Sequence, residues 1–124
     1  MEHQELLVGF VRMHILHHAV EGDLYGQWMI EELADHGYKM SAGTLYPMLH
    51  SLERKGYLKS QRKRSGRVYR RFYRATPLGR KALAIVRERL HDLFDEVAKK
   101  KRKQAKQAKQ AKQAKQAKQA AKHS

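Results

Sequence analysis

Cysteine is absent from these 124 residues, which excludes a disulfide framework and any thiolate metal centre. Long apolar runs are missing too: no stretch approaches the ~20 apolar residues needed to span a membrane. The start of the chain lacks the cationic segment of a secretory signal. Glu2 and Glu5 stand there instead, and histidines interrupt the apolar run that follows, so no signal peptide is expected. These absences make the cytoplasm the expected location. The most informative gap is one of charge. No acidic residue occurs between Glu53 and Glu88.

Cations fill that gap, ten of them between Arg54 and Arg74. The formal charge of +15 is therefore segregated. Residues 1–53 carry two basic and eight acidic side chains, a net −6. Residues 54–98 carry fourteen basic and four acidic, a net +10, and residues 99–124 carry eleven basic and none acidic. A run of charge is usually a solvated face, but a solvated face mixes its signs. Segregation of this kind is the footprint of a chain that meets a polyanion, above all nucleic acid.

Residues 5–20, ELLVGFVRMHILHHAV, predict a helix that is apolar almost all round, broken mainly by Arg12 and the histidines, with a stop at Gly22. One face is expected to meet the domain core and another a second subunit. A second helix is predicted from Gly26 to His36, with Met29, Ile30 and Leu33 inside. A third runs from the N-cap Ser41 to Lys55, with Gly56 just beyond its end. Leu45, Leu49 and Leu52 form its core face. Pro47 lies within it, its ring directed at the carbonyl of Gly43. That is either a mild kink or a first turn splayed so that backbone approaches DNA. Strands are expected at Leu58–Arg62 and Val68–Ala75, turning at Ser65-Gly66, which makes a hairpin studded with cations. Thr76-Pro77 then opens a fourth helix, in which Leu83, Val86, Leu90, Leu93 and Val97 recur at steps of three and four. From Lys103 the chain becomes a KQA repeat. Its residue types favour helix, yet a period of three drifts around a 3.6-residue turn and builds no apolar stripe, so this tail is expected to fray when free.

The fold class expected is mostly α with a small β-hairpin, a winged helix-turn-helix in the order α-α-α-β-β-α. The DNA-binding domain is assigned to residues 1–75, a dimerisation helix to 76–100 and a basic low-complexity tail to 101–124. Three segments, LYG at Leu24–Gly26, GTLYPMLHSLERKGYL at Gly43–Leu58 and RRFYRATPLGRKAL at Arg70–Leu83, resemble the PadR family of transcriptional regulators, across residues ~5–97. HILHHAVEG at His14–Gly22 is similar to a subgroup signature within it. Ala42 departs from the proline usual there, and the KQA repeat is foreign to the family. The resemblance implies a homodimeric winged-helix repressor, and a small aromatic or lipophilic effector near the dimer interface, with Trp28 and Phe94 either as its neighbours or, Trp28 above all, as core residues.

In such a fold the third helix enters the major groove and the wing follows the backbone. The expected DNA contacts are Ser41, Thr44, Tyr46 and His50 on the helix, and Arg62, Lys63, Arg64, Gly66, Arg67, Arg70 and Arg71 on the wing. Tyr46 meets a phosphate or packs beneath the wing. Tyr73 is expected in the core. Dimerisation is assigned to Leu83, Val86, Leu90, Leu93 and Val97, with Leu7 and Val11 of the first helix. His14 and His18 are spaced to share one cation, as in a histidine-based metal sensor. A hydrogen-bonded histidine is the commoner case, so no metal and no cofactor are assigned. Nothing resembles a nucleophile–base pair or a phosphate-cradling loop, so no enzyme is expected. The competing reading is a sequence-independent DNA compactor acting through the tail.

Overall fold

The computed structural model describes residues 2–123. Its elements are α1 (Gln4–Glu21), β1 (Leu24–Tyr25), α2 (Gly26–Asp35), α3 (Ala42–Arg54), β2 (Leu58–Ser65), β3 (Val68–Ala75) and α4 (Pro77–His123). They fall into two units, one ending at Ile85 and one beginning at Val86. The first is a winged helix and the second is helical throughout.

Local chemistry sets the helix ends. α2 and α3 both close in Schellman motifs. Gly37 and Gly56 take φ of 87° and 86°, a region where a Cβ is strained. Tyr38 N–H donates to the Leu33 carbonyl and Tyr57 N–H to that of Leu52, each at 2.9 Å. The next start is equally local. Thr76 Oγ1 accepts a hydrogen bond from Gly79 N–H at 3.0 Å and donates to the Gly56 carbonyl. Thr76 N–H donates to the Tyr57 carbonyl at 3.0 Å. The first turn of α4 is thereby clamped to the α3–β2 junction.

The sheet has three antiparallel strands in the order β1-β3-β2, one more than the hairpin expected. β1 is only two residues long, pairing Leu24 with Tyr73 and Tyr25 with Phe72. So short a strand leaves no periodic trace; it exists because β3 offers it an edge. β2 pairs with β3 from Leu58↔Ala75 to Ser65↔Val68. The two-residue loop is therefore Gly66-Arg67, one residue later than the expected turn. Gly66 has φ of 64°, as the first position of a type II′ turn demands.

The core joins α1 (Val11, Ile15, Leu16, Ala19), α2 (Met29, Leu33), α3 (Leu45, Met48, Leu49, Leu52) and the sheet base (Leu24, Leu58, Tyr73, Ala75). Leu83 of α4 also belongs to it. Two assignments to dimerisation are corrected here. Val11 is fully buried and Leu83 nearly so within one protomer, because each lies on the helix face turned toward the core. Neither is available to a second subunit. In the second unit α4 continues through the KQA repeat to His123. Helix propensity prevails there without a core, and residues 99–121 are exposed on every side.

Candidate nucleic-acid interface

α3 divides its residues sharply. Leu45, Met48, Leu49 and Leu52 are buried, while Gly43, Tyr46, Pro47, His50 and Arg54 are exposed. Those five recur at helical spacing and form one outward stripe. Ser41 is exposed and caps the helix without a side-chain bond to its backbone. Its hydroxyl lies 3.4 Å from that of Thr44, which is only half exposed and stands beside the stripe. Tyr46 is expected to meet a phosphate or pack beneath the wing, and the structure sets it against α2. Its ring covers Gly26 at the start of α2, so closely that a Cβ at position 26 would collide with it. Its other face remains open, 6.4 Å from the His50 ring. Arg54 and Pro47 were not among the expected contacts, although their spacing from His50 and Gly43 carries the signal.

Strand alternation splits the wing cations between two faces. Arg62, Arg64 and Arg71 share the face of Ser60 and Tyr73, which looks toward α3. There Arg71 Nη1 donates to Ser60 Oγ at 3.1 Å and Ser60 Oγ donates to Glu53 Oε1 at 2.8 Å, tying the strand to the last turn of α3. The Arg62 guanidinium sits 5.1 Å from the centre of the exposed Tyr69 ring. The buried Tyr73 hydroxyl has no hydrogen-bond partner, and burial raises its pKa.

Lys63 and Arg70, expected as DNA contacts, lie on the opposite face from Arg62, Arg64 and Arg71. Lys63 Nζ is 2.6 Å from Asp23 Oδ2 and Arg74 Nε 2.9 Å from Oδ1 of the same carboxylate. The hydrogen bond from Lys63 foremost, with that from Arg74, holds the Asp23 carboxyl below its usual range. Arg70 packs its guanidinium 4.4 Å from the Tyr25 ring centre, and Tyr25 in turn meets Phe72 edge-on. These groups fasten the wing to β1. A pocket of about 440 Å³ opens beside them, lined by Asp23, Lys59, Gln61 and Arg74 among others.

The register places like charges opposite one another: Lys59↔Arg74, Arg62↔Arg71 and Lys63↔Arg70. Directly opposed like charges destabilise a sheet. On the β1 face Asp23 offsets the repulsion. On the α3 face, among the described residues, no carboxylate lies within ion-pair distance of Arg62, Arg64 or Arg71, and none within reach of Arg67 at the tip. The one carboxylate placed on that face by a hydrogen bond, Glu53, reaches Arg71 only through Ser60 Oγ and pairs directly with none of these arginines.

Of the residues assigned to dimerisation on α4, Val86, Leu93 and Val97 are exposed and Leu90 is half-buried. Phe94 is 63% exposed beside them. Leu7 of α1 is half-buried. Trp28 meets His18 edge-on at 5.2 Å. Among the described residues, no helix is long and apolar enough to cross a membrane.

Comparison with known proteins agrees with this geometry. The Transcriptional regulator PadR-like family matches residues 15–85. The chain is 54% identical over 88 residues to transcriptional regulator Rv3488 of Mycobacterium tuberculosis, covering 70% of this chain and 81% of that one. Among solved structures, a PadR family transcriptional regulator from Eggerthella lenta superposes with a TM-score of 0.67 at 38% identity, covering 77% of this chain and 84% of the other. A transcriptional regulator from Clostridium thermocellum gives 0.65 at 31% identity, with coverage of 77% and 96%. With its winged-helix unit, its exposed α3 stripe and its arginine-faced wing, the chain belongs to the PadR-like family of transcriptional regulators.

Proposed function

We propose that this chain is a homodimeric, sequence-specific DNA-binding repressor of the cytoplasmic nucleoid. α3 reads base edges through Tyr46 and His50 and sets its register through Ser41, Thr44 and Arg54. The α3-facing wing arginines meet phosphate, with Arg67 at the tip. Two copies pair through α4, so the operator is an inverted repeat with half-site centres about 10 bp apart. The observation that carries this reading is the Arg62↔Arg71 pair. Two opposed cations with no directly paired carboxylate, on the side of the exposed helix stripe, are stabilised by a phosphate backbone laid across them.

The test separates positioning from reading. Arg62→Ala and Arg71→Ala should weaken binding to operator and random DNA alike, each lowering the slope of log affinity against log salt by about 1.8, one phosphate per protomer. His50→Ala should instead reduce the preference for operator, by about 1–3 kcal/mol at one base pair. Fluorescence anisotropy across a salt series measures both. Lys63→Ala, on the β1 face, should leave the slope unchanged. A slope that responds to Lys63 but not to Arg62 or Arg71 contradicts the assignment of faces.

A further inference from the structure

His14, His17 and His18 lie on α1, and Glu32 and His36 at the end of α2. The helices set two i, i+4 pairs against each other, His14 with His18 and Glu32 with His36. His18 Nε2 and His36 Nε2 both approach Glu32 Oε1, each at 3.4 Å. The His14 ring stacks 4.8 Å from that of His36. His18 and His36 thus flank the Glu32 carboxylate from two elements, with the His14 ring beside that of His36 and the His18 and Glu32 side chains only 15% and 27% exposed.

The spacing is informative. A charged N–H···O hydrogen bond closes to about 2.7–2.9 Å. Two ligands of a tetrahedral ion with bonds of about 2.1 Å stand roughly 3.4 Å apart. Both nitrogen–oxygen distances leave room for such an ion, as does the 3.3 Å between His17 and Glu21. We propose that His14, His18, Glu32 and His36 form a binding site for a divalent transition cation of the zinc type, bridging α1 and α2. Three nitrogens and one carboxylate oxygen suit such a cation, whereas calcium and magnesium take all-oxygen shells.

A second grouping competes for His18. His17, His18 and Glu21 bring their ligand atoms within 4.8 Å of one another. All three sit on α1, and the His17 and Glu21 side chains are 41% and 63% exposed, so one helix supplies the whole set and water reaches it freely. The inter-helical set has four donors, less exposure and backbone support on both sides. The site stands independently of DNA binding. Because α2 packs on α3, a cation there would act next to the DNA-facing helix, a consequence that does rest on the DNA-binding reading.

The experiment titrates ZnCl2 into the chelator-treated full-length protein by calorimetry, with CoCl2 as an optical probe of tetrahedral geometry. One zinc per chain is expected, with an intense visible cobalt band. Glu32→Gln and His36→Asn, at partly exposed positions that spare the core, should each weaken zinc binding at least ~10-fold. His17→Asn with Glu21→Gln should leave it unchanged. No saturable binding at one ion per chain overturns the proposal, as does zinc binding that ignores Glu32 and His36 or falls only with His17 and Glu21.

Discussion

Replacing Leu90 and Leu93 together by lysine should give a monomer that binds its operator at least ~10³-fold more weakly than the native chain. The surface concerned is on α4, where Val86, Leu93, Phe94 and Val97 are exposed. Each large apolar side chain left in water forgoes about 1.5–3 kcal/mol that burial would contribute. A two-fold axis through this face buries every such residue twice. The substitution sets four lysines into that interface, where unpaired charge is far more costly than lost packing. The winged-helix unit should be spared, since neither leucine belongs to its core. Sedimentation velocity reads the assembly and anisotropy reads the affinity. A dimer that survives the substitution, or a monomer that retains operator affinity, contradicts the pairing assigned to α4.

Gly79→Ala should be the most damaging single exchange for stability, costing about 3 kcal/mol. Its Cβ would fall on the carbonyl oxygen of Tyr57, with the carbonyl carbon at 3.0 Å. That obstacle is backbone, and it cannot swing aside as a side chain would. The Tyr57 carbonyl is held by Thr76 N–H, and Tyr57 N–H by the Leu52 carbonyl. Relief therefore means opening the clamp between α3, β2 and α4. For a domain of this size the melting temperature should fall by roughly 15 °C. Gly9→Ala supplies the opposite sign. Gly9 is exposed within α1 with nothing near its absent Cβ, so alanine there should add about 0.5–1 kcal/mol by restraining the unfolded chain and improving helix propensity. Equal effects at the two glycines would contradict the steric account.

What could be read in the sequence follows from how local each signal is. Ser41, Gly56 and Thr76-Pro77 mark helix ends because caps act within a few residues. Leu45, Leu49 and Leu52 show their burial through spacing alone. β1 was hidden because two residues make a strand only through pairing with β3, far along the chain. The same distance concealed the role of Asp23, which lies 40 residues from Lys63. Alternation separates Lys63 and Arg70 from Arg62 and Arg71, but only the fold reveals which face carries the acid. Val11 and Leu83 look like interface residues in an apolar helix and an a/d seam, until packing turns them inward. Glu32 and His36 meet His14 and His18 only once α1 and α2 are packed.

Sequence specificity is assigned to the winged-helix unit, with the repeat as an accessory. The rival reading places binding in the exposed, lysine-studded end of α4. Deleting residues 103–124 removes seven lysines and should flatten the salt slope under either reading. The deciding quantity is the ratio of operator to random-DNA affinity measured on the truncated chain. A ratio still at ~10³ or more is predicted, with overall affinity reduced. A preference that disappears with the tail would contradict the account.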